Sequence, residues 1–333
     1  MIFGMSYYQI ACYFLLFSFL GWVAEVTFHG AALGLIVNRG FLNGPVCPVY
    51  GFGVLAVLAA LDTAQKSGLE VRGTQGDWHS DVLLFLFGFV LATLVELAAG
   101  WLLNVFFHMR WWDYSDKPFN FHGYICLEFS IIWGLGIAMV IRIIMPVLEK
   151  GEHLSDPGRY GWVLVAVLYA VYLFDLVVTV ATIIGLNRKL EELDRVRKSL
   201  RIVSDKMSEK IGETSLKTSQ DIGRGRVQAA LAKAEFKQAA AQTQAELKQA
   251  AAQTQAEFKQ AAAQTQAALR SAAAEKAELL AREKKLAADL AGHVVFGTGR
   301  LLRAFPRMTS QKYKETLEAL KQRLPFAKTP KVD

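Results

Sequence analysis

Before residue 188 the chain carries five apolar stretches, over about 9–37, 48–61, 82–107, 124–148 and 161–186. A helix needs roughly 20 predominantly apolar residues to cross a bilayer. The stretches therefore predict an all-α, polytopic membrane helix bundle of five spans. The first is longer than one crossing needs, and tilt or a bend near Gly30 and Gly34 would absorb the excess. The second is short, and Pro45, Pro48, Gly51 and Gly53 around its start point to a partly unwound or re-entrant beginning.

Charge divides the chain at the same place. Residues 1–187 hold 8 Lys/Arg against 13 Asp/Glu, a net of −5; the rest hold 29 against 17, a net of +12, giving +7 together. The basic balance thus belongs to a tail, and it gives no reason to expect nucleic acid as a partner. Four segments follow: a transmembrane domain (1–187), a juxtamembrane heptad helix and linker (188–225), an Ala/Gln-rich helix of eleven-residue repeats (226–292) and a basic amphipathic end (293–333). Cys12, Cys47 and Cys126 are too scattered for a disulfide framework or a thiolate metal site. The first apolar run has neither a basic leader nor a small-residue cleavage site, and reads as a retained span.

Orientation follows from basic residues beside the span ends. Arg188, Lys189, Arg195, Arg197, Lys198 and Arg201 would hold the tail in the cytoplasm. Five crossings of the cell membrane then put the N-terminus outside. The same count brings four intramembrane carboxylates, Glu25, Glu96, Glu128 and Asp175, to one half of the bilayer, beside the polar loops 38–45 and 110–115. An ionised side chain in hydrocarbon persists where it is paired, hydrated or useful. Pairing with Arg39, Arg110, His29, His108 or His122 would only fix the packing. Four acids facing so few bases also leave charge for a proton, a cation or a substrate to neutralise. Carboxylates suit hard cations, but no spacing is diagnostic of a metal and no cofactor is implied.

Helical spacing groups polar residues around these acids. Ser18, Gly21, Trp22, Glu25 and His29 form one stripe, and Glu96, Gly100 and Asn104 another, whose small residues admit a close neighbour. Glu128 shares a face with Ile131 and Ile132, one turn past Tyr124. Faces turned inward would enclose a polar cavity roofed by the two loops. The 38–45 loop is either a tight turn built on its glycines and proline, or an anion-binding nest with Arg39. Trp111, Trp112 and Tyr114 fit an interfacial aromatic belt, which leaves the interleaved Asp113, Ser115 and Asn120 unexplained. Arg142 either snorkels outward or acts as a counter-ion in the outer half.

Several of these segments resemble a known family. They are Gly21-Trp22-x-x-Glu25, Asn38-Arg39-Gly40-Phe41-Leu42-x-Gly44-Pro45-x-x-Pro48-x-Tyr50-Gly51, Trp112-Asp113-Tyr114-Ser115 and Gly123-Tyr124-Ile125-x-Leu127-Glu128-x-Ser130-x-x-Trp133-Gly134. Together they resemble the bacterial putative ABC-transporter type IV permease family over residues 1–187, and the last is similar to the vertebrate transmembrane protein 229 group. The resemblance implies Glu25, Asn38, Arg39, Glu96, Trp112, Asp113, Tyr114, Asn120 and Glu128 as functional candidates; the reading of buried acids adds Asp175. No Gly-x-x-x-x-Gly-Lys-Ser/Thr phosphate loop occurs in the chain, so any ATPase would be a separate subunit.

The tail predicts helix throughout. Leu193, Val196, Leu200, Val203 and Met207 make a short heptad seam, which Gly212, Gly223 and Gly225 would interrupt. An eleven-residue repeat from Phe236 places Phe236, Ala240, Thr243, Leu247, Ala251, Thr254 and Phe258 along a nearly straight seam. So sparse a seam supports a homo-oligomeric coiled coil only if the membrane domain already gathers copies. Tyr313, Leu317, Leu320 and Leu324 form one face of a basic helix suited to anionic lipid. The leading expectation is a transporter or permease component with an acidic intramembrane cavity gated by Arg39. The alternatives are a membrane-embedded enzyme using the cavity carboxylates, although no nucleophile motif is present, and a membrane-anchored coiled-coil scaffold.

Overall fold

The computed structural model describes residues 3–34, 36–71, 73, 77–150, 158–235, 242–292 and 297–323. Helix dominates, and five helical segments are long and apolar enough to cross a membrane. They are α1 (Tyr7–Leu33), α2 (Pro48–Lys66), α3 (Trp78–Phe107), a fourth built from α4 (Leu127–Met139), a π-helical turn (Val140–Ile144) and α5 (Met145–Glu149), and the first part of α6 (Gly158–Glu235). Helices α7 (Gln242–Ala291), α8 (Gly297–Ala304) and α9 (Lys314–Arg323) follow. Four two-residue strands form two antiparallel pairs. β1 (Met109–Arg110) pairs with β4 (Thr309–Ser310), and β2 (Asn120–Phe121) with β3 (Ile125–Cys126).

Local chemistry sets the helix ends. Ser6 and Gln9 close a capping box at the start of α1. Gly34, in the left-handed region at φ 65°, ends it. Pro48 opens α2 in the first turn, where its missing N–H costs no helical bond. The second span is accordingly a regular 19-residue helix rather than an unwound one. Helices α1 and α2 come together where a side chain is lacking. A Cβ on Gly21 would lie 2.2 Å from Tyr50 Cγ, and one on Gly51 2.4 Å from Ser18 Oγ.

Contacts divide the chain into two units, residues 1–191 with 289–333, and residues 192–288. In the first unit an apolar core joins Tyr13, Phe17, Val57, Leu84, Ile137 and Ile141. Outward faces stay apolar: Phe174, Val177, Leu164 and Leu94 are all more than half exposed, as lipid-facing residues must be. The interior carries buried polar groups at Ser18, Glu96, Asn104, Ser130 and Thr179. Arg142 is a counter-ion, 2.7 Å from Asp81.

In the second unit the lower part of α6 runs antiparallel to α7. The direction follows from Arg282 on Glu192 at 2.6 Å, Arg197 beside Glu283 at 3.8 Å and Lys276 on Ser204 at 3.2 Å. Leu193, Val196 and Val203 of the heptad seam are buried within this one chain. Gly212, Gly223 and Gly225 do not interrupt α6. A glycine costs a helix only about 1 kcal/mol relative to Ala, which strong helix formers around it outweigh. The side chains of the eleven-residue seam, Phe236, Ala240, Thr243, Leu247, Ala251, Thr254 and Phe258, lie outside the described residues.

Candidate intramembrane acid site and its loop roof

Two of the four acids, Glu25 and Glu96, are linked through a pair of aromatic side chains. Glu25 on α1 accepts a hydrogen bond from the Tyr50 hydroxyl at 2.8 Å, with Arg39 Nε 3.7 Å and His29 Nδ1 3.6 Å from its other oxygen. Tyr50 reaches it because Gly21 leaves room for the ring. Glu96 on α3, only 8% exposed, accepts from Trp133 Nε1 at 3.0 Å and from the Tyr114 hydroxyl at 3.1 Å. The Tyr50 and Trp133 rings meet edge to face at 5.4 Å. The result is an unbroken sequence of side chains, Arg39–Glu25–Tyr50–Trp133–Glu96–Tyr114, drawn from α1, α2, α3, α4 and both loops.

The loops are self-supporting. Asn38 Oδ1 accepts from Trp22 Nε1 at 2.7 Å and from the Gly40 N–H at 2.9 Å, while its Nδ2 donates to the Asn43 carbonyl at 2.6 Å. Asp175 on α6 takes the Asn43 and Gly44 N–H groups at 3.2 and 2.7 Å, and Asn43 Nδ2 at 2.9 Å. It therefore pins the loop from outside the acid pair. In the second loop Trp112 Nε1 donates to the Tyr124 carbonyl at 2.8 Å. Asp113 accepts from the Ser115 N–H at 3.0 Å, and Asn120 accepts from the Gly123 N–H at 3.1 Å while donating to the Lys117 carbonyl at 2.8 Å. Trp112, Asp113 and Asn120 thus build the hairpin around β2 and β3, which delivers Tyr114 to Glu96. Phe41 meets Trp111 at 5.5 Å, so both loops lie on one side of the bundle, as span parity requires.

Glu128 stands apart. Its carboxylate is 52% exposed and pairs with Lys117 at 2.9 Å. The hairpin delivers the chain to α4 at the bundle's rim, leaving Ile131 and Ile132 exposed and turning Ser130 and Gly134 inward. Of the proposed bases, Arg110 lies over the Tyr124 ring at 4.5 Å and donates to the His122 carbonyl at 2.9 Å rather than meeting an acid.

Burial governs the loop groups. It lowers the Arg39 guanidinium from its ordinary range, against the opposing pull of the Glu25 charge. Burial, with Glu96 adding its charge, raises the Tyr114 phenol, which keeps it a neutral donor. Burial also pushes the Cys47 thiol up to about 12.

Sequence reasoning missed Tyr50, Trp133 and Trp22 as site residues, although all three fall inside the quoted motifs. Aromatic N–H and O–H groups within spans that carry acids were the available signal. It also missed the C-terminal segment. Arg300, only 2% exposed, donates to the Gly40 and Phe41 carbonyls at 2.9 and 3.1 Å, and Arg39 donates to the Ala304 carbonyl. The apolar face expected to meet anionic lipid turns into protein instead. Leu317 and Leu320 are buried, and Leu324 lies outside the described residues.

Five apolar helical spans with a polar interior and a buried carboxylate define a multi-pass α-helical membrane protein. More narrowly, the chain belongs to the family described as putative ABC-transporter type IV, whose model matches residues 12–180. Neither a curated protein nor a solved structure matches the chain.

Proposed function

We propose that this chain is the membrane component of a transporter, and that Glu96, working with Glu25, takes up a proton or a small cation during the transport cycle. The setting of Glu96 carries the reading. Its two partners, Trp133 and Tyr114, are neutral donors, and among the described residues no base pairs with it. Neutral hydrogen bonds offset only part of the cost of an ionised carboxylate in a membrane interior, so loading by a proton or cation is the state this site favours. Glu25 sits one aromatic pair away, in contact with Arg39 of the loop roof. That contact gives the roof a means to sense the charge below it.

On this reading the loop side faces the cytoplasm, since six bases, Arg188 to Arg201, follow the apolar part of α6. Candidates for substrate contact are Glu25, Arg39, Glu96 and Tyr114. Asn38, Trp112, Asp113, Asn120 and Asp175 shape the roof. An ATPase that drove the cycle would be a separate polypeptide, because the chain has no phosphate-binding loop.

The test is proton flux in proteoliposomes loaded with pyranine under an imposed pH gradient, with sodium and potassium gradients as parallel probes. Wild-type protein should dissipate at least one gradient. Glu96→Gln should abolish that flux while keeping its size-exclusion profile and thermal midpoint. Undiminished flux through Glu96→Gln would refute the assignment.

A further inference from the structure

The C-terminal segment meets the membrane domain at four kinds of contact, all on the loop roof. The first is a cradle of backbone carbonyls. Arg300 donates to Gly40 and Phe41 at 2.9 and 3.1 Å, with Asn38 at 3.5 Å. The second is aromatic: Phe305 lies under the Arg39 guanidinium at 5.1 Å and beside Trp111 at 6.5 Å, so one ring touches both loops. The third is strand addition, Met109 with Ser310 and Arg110 with Thr309, extended by the Gln311 N–H on the His108 carbonyl at 3.0 Å. The fourth is an ion pair between Arg307 and Asp116 at 3.3 Å. Leu301, Leu302 and Met308 are buried alongside.

Strand addition to an exposed edge, with anchor side chains seated beside it, is how folded domains recognise peptides. Thr309–Ser310 add the strand here, and Arg300 on α8 and Phe305 just after it are the anchors. Here the peptide belongs to the same chain. The anchoring is also reversible in kind. Arg300 is held by neutral carbonyl dipoles, so much of its attraction is offset by the cost of removing a guanidinium from water. That cost pulls its proton affinity down to about 10, with the Asp175 charge opposing. Tethering supplies the local concentration that keeps such a ligand in place. The segment does more than cover the roof. Arg39 faces Glu25 with Nε and the Ala304 carbonyl with Nη1, so the loop base that pairs with Glu25 is also held by the docked segment.

We propose that the groove formed by residues 38–41 and 109–111 is a peptide-binding site for an Arg-x-x-x-x-Phe segment, filled in cis by residues 297–310. The docked segment acts as a removable cap that clamps Arg39 onto Glu25. The groove stands on geometry alone; the capping role rests on the transport reading above. Release of the segment frees Arg39 and opens the roof over Glu25. Rebinding closes it.

Full-length protein carrying Arg300→Ala and Phe305→Ala, singly and together, is to be reconstituted in nanodiscs and titrated with a fluorescein-labelled peptide of residues 297–323. The double variant, whose own segment has lost both anchors while the groove is intact, should bind the peptide at least about tenfold more tightly than wild type, whose groove is already filled. The same peptide with Arg300→Ala should not bind. In proteoliposomes the double variant should pass the probe ion several times faster than wild type, and Glu96→Gln added to it should abolish the flux. Absence of peptide binding by every variant overturns the proposal whatever the flux. Peptide binding with wild-type flux in the double variant overturns the cap. Absence of flux in every form, wild type included, counts against the transport reading, and the groove is then decided by the peptide alone.

Discussion

Asp175→Asn separates a carboxylate that shapes the roof from one that serves the interior. The wild-type side chain takes the Asn43 N–H and Nδ2 on one oxygen, at 3.2 and 2.9 Å, and the Gly44 N–H on the other at 2.7 Å. Asparagine keeps the size but offers one acceptor. Its NH2 must face either Gly44 N–H or both Asn43 donors, so a donor meets a donor whichever way it turns. A hydrogen bond to a charged group contributes about 1.5–3 kcal/mol, and a buried donor left unpaired costs about 1–3 kcal/mol. These overlap, so the loop should lose about 2–4 kcal/mol of local stability. At about 1.4 kcal/mol per factor of ten, the Asn43 and Gly44 amides should exchange hydrogen about 30- to 1000-fold faster. Mass-spectrometric exchange on peptides covering residues 38–47 reads this directly. Glu128→Gln, which alters a half-exposed pair with Lys117 at the surface, should leave those peptides unchanged. Exchange within a factor of about three of wild type in Asp175→Asn would refute the reasoning.

Two further outcomes follow from the packing. Gly21→Val places a methyl-bearing carbon where Tyr50 Cγ is 2.2 Å from the bare backbone direction; overpacking of this kind costs about 1–3 kcal/mol, so the thermal midpoint should fall, and an unchanged midpoint would show that α1 and α2 part freely. The Cys47 thiol, raised from 9.0 to about 12 by burial, is favoured in its neutral form. At pH 8 its thiolate fraction should be about 1000-fold below that of a thiol at the ordinary value, so N-ethylmaleimide should modify it slowly up to that pH. Peptide mapping that finds Cys47 alkylated at the rate of a free thiol would contradict the burial argument.

Much of the membrane domain was legible because hydrocarbon imposes a simple rule on length and polarity, and all five spans appear close to their expected positions. Span parity brought the two loops together for the same reason. What parity could not supply was rotation about each helix axis. Glu128 is four residues into its expected span, yet it faces outward, because the preceding hairpin fixes the phase of α4. Asp175 belongs to the loop and not to the acid pair, a distinction that needs the Asn43 and Gly44 N–H groups in view. Glu25 and Glu96 were found as acids, but the aromatic residues that join them carry no charge to draw attention. The docking of Arg300 had no local signal at all. Its partners are backbone carbonyls some 260 positions away, and carbonyls are written nowhere in a side-chain pattern.

The wide turn in the fourth span has a consequence for register. Ile137, Ile141 and Met145 are spaced by four, and all three are buried in the core. In an ordinary helix of 3.6 residues per turn, each step of four drifts by about 40°, which would carry Met145 about 80° off the line of Ile137. The Met145 N–H instead bonds five residues back, to Val140, and the loosened coil takes back much of that drift. One surplus residue thus keeps the C-terminal half of the span in phase with the N-terminal half, and the same loosened coil carries Arg142 to Asp81. Shortening this segment by a single residue would re-aim the methionine and the arginine together. The fourth helix should therefore tolerate substitution here more readily than deletion.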